Sequence, residues 1–364
     1  MLIAETSAPE HISFLDVAAP LLKPGDALVA IHAVTLCGTD LHIYQGHFPT
    51  DYPIVQGHEM AGIVVDPGGA PSLRAGDRVV VDPLVACGTC RACRRGHPNV
   101  CPHLSVLGCY ENGGLAEVLS VPAQRLHAVP DTMPLEIAAM AEPASIALQA
   151  VSRATPQAGE VALVLGCGPI GLLAALALSD LGVTVIAADT DPARAALSRS
   201  FGSALQINVE PGFPDDAAQA LIAEFAEGGG PEIIIEATGV PVSIENAIRI
   251  VAPAGRIVQV GISTRVAQFT VKDLTDKEIE LRGSRNSLGL IPAGLELLKR
   301  HPDAAAALLT HTFPLERITD AFDTMTNRDV VSGKIGILMP AHTSTDAAAG
   351  RTPAVGASRT CAPS

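Results

Sequence analysis

The sequence predicts an α/β protein in which a doubly wound parallel sheet is joined to a smaller, mainly antiparallel β lobe. Three observations predict it. A continuous apolar run, Val161-Ala162-Leu163-Val164-Leu165, opens into Gly166-Cys167-Gly168-Pro169-Ile170-Gly171 and then a helical stretch. The chain before it is cut into short alternating segments by Pro/Gly turns. Four cysteines, Cys87, Cys90, Cys93 and Cys101, fall within fifteen residues of that first part.

At 364 residues the chain is long enough for two domains with full cores. Its 48% hydrophobic and 17% charged residues describe a compact protein, not a disordered one. A net charge of −14 argues against a nucleic-acid partner, because phosphate binding needs a basic surface. No apolar run reaches the roughly 18 residues of a membrane span. The start, MLIAETSAPEHISFLDV, lacks a basic segment followed by an apolar core, so no secretory signal is expected there. A cytoplasmic protein is the expectation, and its eight cysteines then need an explanation other than stable disulfides.

Residues 1–36 alternate apolar and polar positions around Lys23-Pro24-Gly25-Asp26, as short antiparallel strands do. Cys37-Gly38-Thr39-Asp40-Leu41-His42 follows, with Gly57-His58-Glu59 twenty residues later. A thiolate, an imidazole and a carboxylate suit a catalytic zinc, which takes about three protein ligands and leaves a position for water or substrate. Thr39 and His42, three residues apart, can carry a proton towards solvent. By themselves these residues read equally well as a buried cysteine, a capping threonine and two scattered histidines. Strands follow at Ala61–Val65 and Asp77–Val81.

The four cysteines are spaced three, three and eight positions apart. Such close spacing rarely meets disulfide geometry but suits a tetrahedral four-thiolate zinc knuckle. Four thiolates close the coordination sphere, so this zinc should be structural, with Arg91, Arg94 and Arg95 offsetting its negative charge. Residues 113–129 read as strand and turn. Leu135 to Ser152 reads as one helix, in which Glu142 stands before Pro143 in an apolar run. A charged carboxylate there is costly unless it is paired, bound to metal or exposed at a kink.

The run at Val161 is the first strand of a βαβ unit, and a second, Val183–Ala188, ends at Asp189. Gly166, Gly168 and Gly171, with Ile170 in the same turn, form G-x-G-x-x-G between strand and helix. Asp189 follows the last glycine by eighteen residues. Glycines allow the tight turn and close backbone approach, the helix N-terminus faces pyrophosphate, and the acid accepts from ribose hydroxyls. This is the Rossmann dinucleotide pattern. Asp189 favours NAD over NADP; Arg194 can bracket the adenine or tolerate a phosphate. Further parallel strands at Glu232–Glu236 and Arg256–Val260 end in turns that line the cofactor crevice, among them Gly261 and Ile262. Ile279–Gly283 leads into Ser284-Arg285-Asn286. Residues 292–300 and 314–327 read as helices, Gly333–Leu338 as a last strand, and the tail from about 341, with Cys361, as disordered.

With these residues in hand, the sequence resembles the zinc-dependent medium-chain dehydrogenases of the alcohol dehydrogenase superfamily over about residues 1–339. The motifs C-G-T-D-x-H, G-H-E, G-x-D-R-V, the four-cysteine lobe, A-E-P, G-C-G-P-I-G with Asp189, and S-G-K occur in the family's order. The resemblance implies a GroES-like catalytic domain, residues 1–146 with 292–340 returning to it, around a Rossmann domain of residues 147–291. Residues 341–364 are left as a tail, and the active site lies in the cleft between the domains. It implies NAD and two zinc ions per chain. The catalytic zinc would be held by Cys37, His58 and Glu59, with Glu142 bound directly or through water, and Thr39 and His42 would be the proton relay.

Glu142 stands where simple alcohol dehydrogenases usually carry a cysteine, as in the polyol and threonine dehydrogenase branch. The stretch L-T-D-K-E-I-E-L-R-G-S-R-N-S is similar to idonate, gulonate and galactonate 5-dehydrogenases, whereas C-G-T-D-L-H-I-Y is similar to L-threonine 3-dehydrogenase. Threonine enzymes typically carry a glycine before the late arginine, where this chain has Ser284, so threonine ranks second. The implied substrate is a small polyhydroxylated compound oxidised at a secondary alcohol. Ser284 and Arg285 are expected near the nicotinamide end; a surface or inter-domain salt bridge is the other reading of Arg285. A homodimer or homotetramer is implied, with no membrane partner. A relative kept as a binding or structural protein would often lack zinc ligands, and both sets are intact here. A zinc-ribbon binding module is disfavoured by the acidic charge and the complete βαβ unit.

Overall fold

The computed structural model describes residues 1–340 apart from Gly228 and Arg328; the tail expected from about 341, with Cys361, lies outside the described residues. The βαβ pattern grows into a six-stranded sheet in which every neighbouring pair is parallel. Its spatial order is Ser203–Asn208, Thr184–Asp189, Val161–Leu165, Ile233–Glu236, Arg256–Gln259, Glu280–Gly283. The direction of strand succession reverses between Val161–Leu165 and Ile233–Glu236, and such a reversal leaves a crevice at the strands' carboxyl ends. All five residues of Val161–Leu165 are buried, as a central parallel strand covered on both faces requires. The helix Pro169–Asp180 starts at that crevice, with proline at its first position, where no intrahelical N–H is needed.

The first part of the chain forms a seven-stranded sheet. Its strands run Leu126–Ala128, Arg78–Val81, Glu59–Asp66, Asp26–Thr35, Lys334–Leu338 and Leu309–Pro314, with Val118–Pro122 also paired to Asp26–Thr35. A second, three-stranded sheet holds Leu2–Ala8, His11–Asp16 and Ile54–Val55. Asp26–Thr35 is flanked by strands from distant parts of the chain: Thr35 lies opposite both Glu59 and Gly336. Ile31, Val34, Met60, Phe322 and Ile335 pack in the core of this lobe.

Helices Ile291–Arg300 and Pro302–Leu308 share a core with Ala162, Val164, Val185 and the helix Ala141–Ala154. Ala61 and Val80 of the other lobe belong to the same core, and the chain pairs with the seven-stranded sheet from Leu309. The helix expected over Leu135 to Ser152 is two, Leu135–Ala138 and Ala141–Ala154. Pro143 sits in the first turn of the second, where its missing N–H costs nothing, so it starts a helix and does not kink one. Among the described residues no helix is long and apolar enough to cross a membrane.

Gly166 has φ +96°, and a Cβ on Gly171 would stand 1.8 Å from the Gly166 carbonyl oxygen. A Cβ on Gly168 would meet nothing within 4 Å. Gly171→Ala must therefore shift the turn, and thermal unfolding should show a loss of about 2 kcal/mol. Gly168→Ala should melt like the wild type yet bind NADH at least tenfold more weakly, because its methyl occupies the space open to pyrophosphate.

Candidate active site

Three adjacent strands deliver the cluster built around Cys37. Cys37 follows the strand Asp26–Thr35 and caps the helix Gly38–Tyr44; Glu59 opens the strand on one side, and Lys334 opens the strand on the other. The ligand atoms of Cys37, His58 and Glu59 all lie within 4.8 Å of one another. Asp40, fully buried, fixes two of the three segments. Its Oδ2 accepts from the Cys37 amide at 2.9 Å and its Oδ1 from the Gly57 amide at 3.2 Å. His58 Nδ1 faces Asp40 Oδ2 at 3.5 Å and Cys109 Sγ at 3.6 Å, which leaves Nε2 as the nitrogen without such a neighbour.

Glu59 and Glu142 are both buried, and their surroundings differ. Glu59 accepts from Thr35 Oγ1 and pairs with Lys334, whose Nζ also donates to the Leu36 carbonyl at 3.1 Å. Glu142 makes no side-chain hydrogen bond or ion pair among the described residues, and burial above all pushes its carboxyl up to about 7, partly countered by His58. It stands beside the cluster without joining the set of three. For His58, burial works to lower the pKa, but the Cys109 sulfur and Asp40 outweigh it and hold the ring well above the ordinary imidazole value. A thiolate, an imidazole and two buried carboxyls, one without a partner, form a donor set that fits a divalent cation such as zinc.

Thr39 Oγ1 lies 3.9 Å from Cys37 Sγ, and His42, one turn further along the same helix, is exposed. Thr39 thus stands beside the cluster and His42 at the surface of the same helix. Asp40, Cys109, Thr35 and Lys334 join the site only through the tertiary structure. Asp40 and Lys334 were legible only as letters within C-G-T-D and S-G-K; nothing in the sequence marks Cys109 as a neighbour of His58.

The sulfurs of Cys87, Cys90, Cys93 and Cys101 also lie within 4.8 Å of one another, with separations of 3.4 Å for Cys90–Cys93, 3.5 Å for Cys87–Cys101 and 3.8 Å for Cys90–Cys101. Zinc–sulfur bonds of about 2.3 Å in a tetrahedron require sulfurs about 3.8 Å apart, so the cage fits the ion. Amides of Thr89 and Cys90 lower the Cys87 thiol to about 6, whereas desolvation pushes the Cys93 thiol up to about 12.

At the crevice of the parallel sheet, a cavity of about 370 Å³ is lined by Gly166, Gly168, Asp189, Arg194, Phe213 and Thr238 among others. Asp189 accepts from the amides of Cys167 at 2.6 Å and Asp191 at 2.8 Å, so its carboxylate is fixed at the rim of the glycine turn. Arg194 Nε lies 3.7 Å from Asp191, which draws the guanidinium towards a carboxylate. Glu236, fully buried, accepts from the amides of Thr238 at 2.9 Å and Gly239 at 3.0 Å and so shapes the opposite turn. Gly261 and Ile262 pack their backbones against Gly239, while the Ile262 side chain is exposed. Ser284 Oγ is buried without a partner and Arg285 is exposed, both just past the end of the last strand. Ile170 is half-buried in the first turn of its helix.

Residues 23–131 match the alcohol dehydrogenase GroES-like domain family, and residues 169–300 match the zinc-binding dehydrogenase family. The chain belongs to the zinc-dependent medium-chain dehydrogenases of the alcohol dehydrogenase superfamily and is a zinc-dependent alcohol dehydrogenase. It is 35% identical over 319 residues to L-galactonate-5-dehydrogenase of Escherichia coli strain K12, covering 86% of this chain and 92% of that one. It is 34% identical over 266 residues to L-threonine 3-dehydrogenase of Pyrococcus abyssi, covering 71% of this chain and 75% of the other. The crystal structure of an alcohol dehydrogenase from Escherichia coli CFT073 complexed with NADH superposes with a TM-score of 0.85 at 31% identity, over 93% of this chain and 99% of that one.

Cys37→Ser should lower bound zinc by one equivalent and abolish turnover while the protein stays folded. Cys93→Ser should lower stability as well as zinc content, because a closed thiolate site contributes directly to folding. Metal analysis and thermal unfolding of the two variants check this, and unchanged metal in both would refute the two cages. A pH test isolates Glu142. With the site free of metal, as Cys37→Ser should leave it, the Glu142 carboxyl is held at about 7 against 4.5 unfolded, so the unfolded chain releases its proton first as pH rises. Stability should fall between those values by about 3 kcal/mol, and Glu142→Gln in the same background should flatten that slope.

Proposed function

We propose that this dehydrogenase uses NAD to oxidise a secondary alcohol in a small polyol or sugar acid, with two zinc ions per chain and a homodimeric or homotetrameric assembly. The observation that carries the reading is Glu142: a buried, unpaired carboxyl beside Cys37, His58 and Glu59, in place of a further thiol. The galactonate relative supports a sugar acid as substrate class.

Cys37, His58 and Glu59, with Glu142 directly or through water, would hold zinc, which supplies Lewis acidity towards the alcohol oxygen, while NAD supplies the hydride acceptor. Asp40 keeps the Cys37 and His58 segments in place before substrate arrives. Lys334 offsets the charge of Glu59 in a site closed to water. Thr39 is placed to accept the alcohol proton and His42 to release it to solvent. Asp189 takes the adenosine ribose hydroxyls, and Gly168 gives the pyrophosphate its close approach. L-Threonine is the second reading, favoured by C-G-T-D-L-H-I-Y and by the Pyrococcus relative.

NADH formation measured across polyols, aldonates and L-threonine tests the reading; turnover of L-threonine alone would replace it with the second. Cofactor choice is a separate outcome. A 2′-phosphate would meet the fixed Asp189 carboxylate, so kcat/KM should favour NAD over NADP by at least about a hundredfold, roughly 2.7 kcal/mol. Asp189→Ala should shrink that ratio, and equal use of both cofactors by the wild type would remove Asp189 from the role.

A further inference from the structure

The four-cysteine lobe is tied to the turn after the last parallel strand by a reciprocal pair of side-chain amides. Asn99 Nδ2 donates to the Arg285 carbonyl at 2.9 Å, and Asn286 Nδ2 donates to the Asn99 carbonyl at 3.0 Å. The partners are 186 and 187 residues apart in sequence. Asn99 is buried and sits in the turn Pro98–Val100, immediately before which stands His97 and immediately after which stands the thiol ligand Cys101. Asn286 has φ +50°, a left-handed conformation that asparagine tolerates better than most residues. On the other flank, the Ser284 amide donates to the Gln259 carbonyl at 2.9 Å, which anchors the turn to the sheet.

Arg285 is thereby held by its backbone on both sides, while its exposed guanidinium makes no hydrogen bond or ion pair among the described residues. A fixed backbone carrying a free cationic side chain suits a group reserved for a ligand. The turn lies past the carboxyl end of the edge strand Glu280–Gly283, the end of a parallel sheet at which ligands bind.

We propose that Asn99 and Asn286 form a positioning clamp through which the metal-loaded four-cysteine lobe fixes the Arg285 turn, so that the lobe sets affinity for a hydroxylated or anionic substrate. The link to substrate rests on the polyol and sugar-acid reading; the clamp rests on the two hydrogen bonds. Asn99 and Asn286 are positioning residues, acting through Arg285. Order in the lobe caused by its metal passes to the turn because each amide closes on the other segment's backbone, leaving neither free to move by itself.

Hydrogen exchange and kinetics together test the clamp on the zinc-loaded protein. Asn286→Gly keeps the left-handed backbone accessible and removes the amide; Asn99→Ala removes the opposite donor. Both should speed exchange in the peptide spanning residues 281–290 at least tenfold with zinc content unchanged. With a substrate from the screen, both should raise its KM about tenfold while kcat and the KM for NAD stay within twofold. Arg285→Ala added to Asn286→Gly should cost no more than about twofold beyond the larger single effect. Exchange and substrate KM within twofold of wild type in Asn286→Gly, or effects of Asn286→Gly and Arg285→Ala that multiply in full, would overturn the proposal. Should Asn99→Ala lose zinc or fail to fold, Asn286→Gly decides alone, since it lies outside the cysteine lobe. Should no polyol, sugar acid or threonine be oxidised, the functional reading fails, and the exchange measurement still decides whether the clamp exists.

Discussion

The buried carboxylate of Asp40 is the constraint on which the site depends. An ionised group taken wholly out of water costs several kcal/mol unless hydrogen bonds or opposite charge repay it. Asp40 is repaid by the amides of Cys37 and Gly57, and those bonds hold the two segments that carry the thiolate and the imidazole. Its second effect is on the His58 ring, which it joins with Cys109 in engaging at Nδ1. The cost of burying one charge is thus what makes the ligand geometry definite before any ion arrives.

The same logic runs through the other buried charges. Glu59 is balanced by Lys334, contributed by a strand from the far end of the chain, and Glu236 by the amides of the turn it shapes. Glu142 is left without a partner among the described residues, and its carboxyl is accordingly pushed up by burial. Removing one member of a buried pair generally costs more than the pair contributes, because the survivor stays behind uncompensated. Lys334 therefore belongs to the site as firmly as the residues that would touch the ion, although it touches Glu59 instead.

The two lobes meet their tasks by different sheet types. The parallel sheet creates a crevice at its strand-order reversal, where helix Pro169–Asp180 and the glycine turn present their amides, as phosphate sites generally do. The antiparallel sheet instead brings the ends of three strands side by side and gathers side chains from positions around 37, 59 and 334. One lobe presents backbone at its crevice, the other gathers side chains that fit a metal. The four-cysteine knuckle adds a local cage whose segment at Asn99 reaches back to the parallel sheet.

Much of this was legible in the sequence, for physical reasons that are local. A doubly covered parallel strand must be continuously apolar, a tight phosphate turn must be glycine-rich, and four thiolates around one ion must be closely spaced; Val161–Leu165, Gly166–Gly171 and Cys87–Cys101 show each directly. The break at Ala139–Met140 and the helix Pro302–Leu308 were not legible, because alanine-rich stretches carry no period that fixes their ends. The sequence by itself determined the fold class and the chemical character of both metal cages and the dinucleotide turn. Only the tertiary structure decided which distant groups balance them: Lys334 on Glu59, Cys109 on His58, Asn99 on Arg285. Those pairings are set by strand register and packing across hundreds of residues, and no local pattern records what a buried charge or carbonyl will find opposite it.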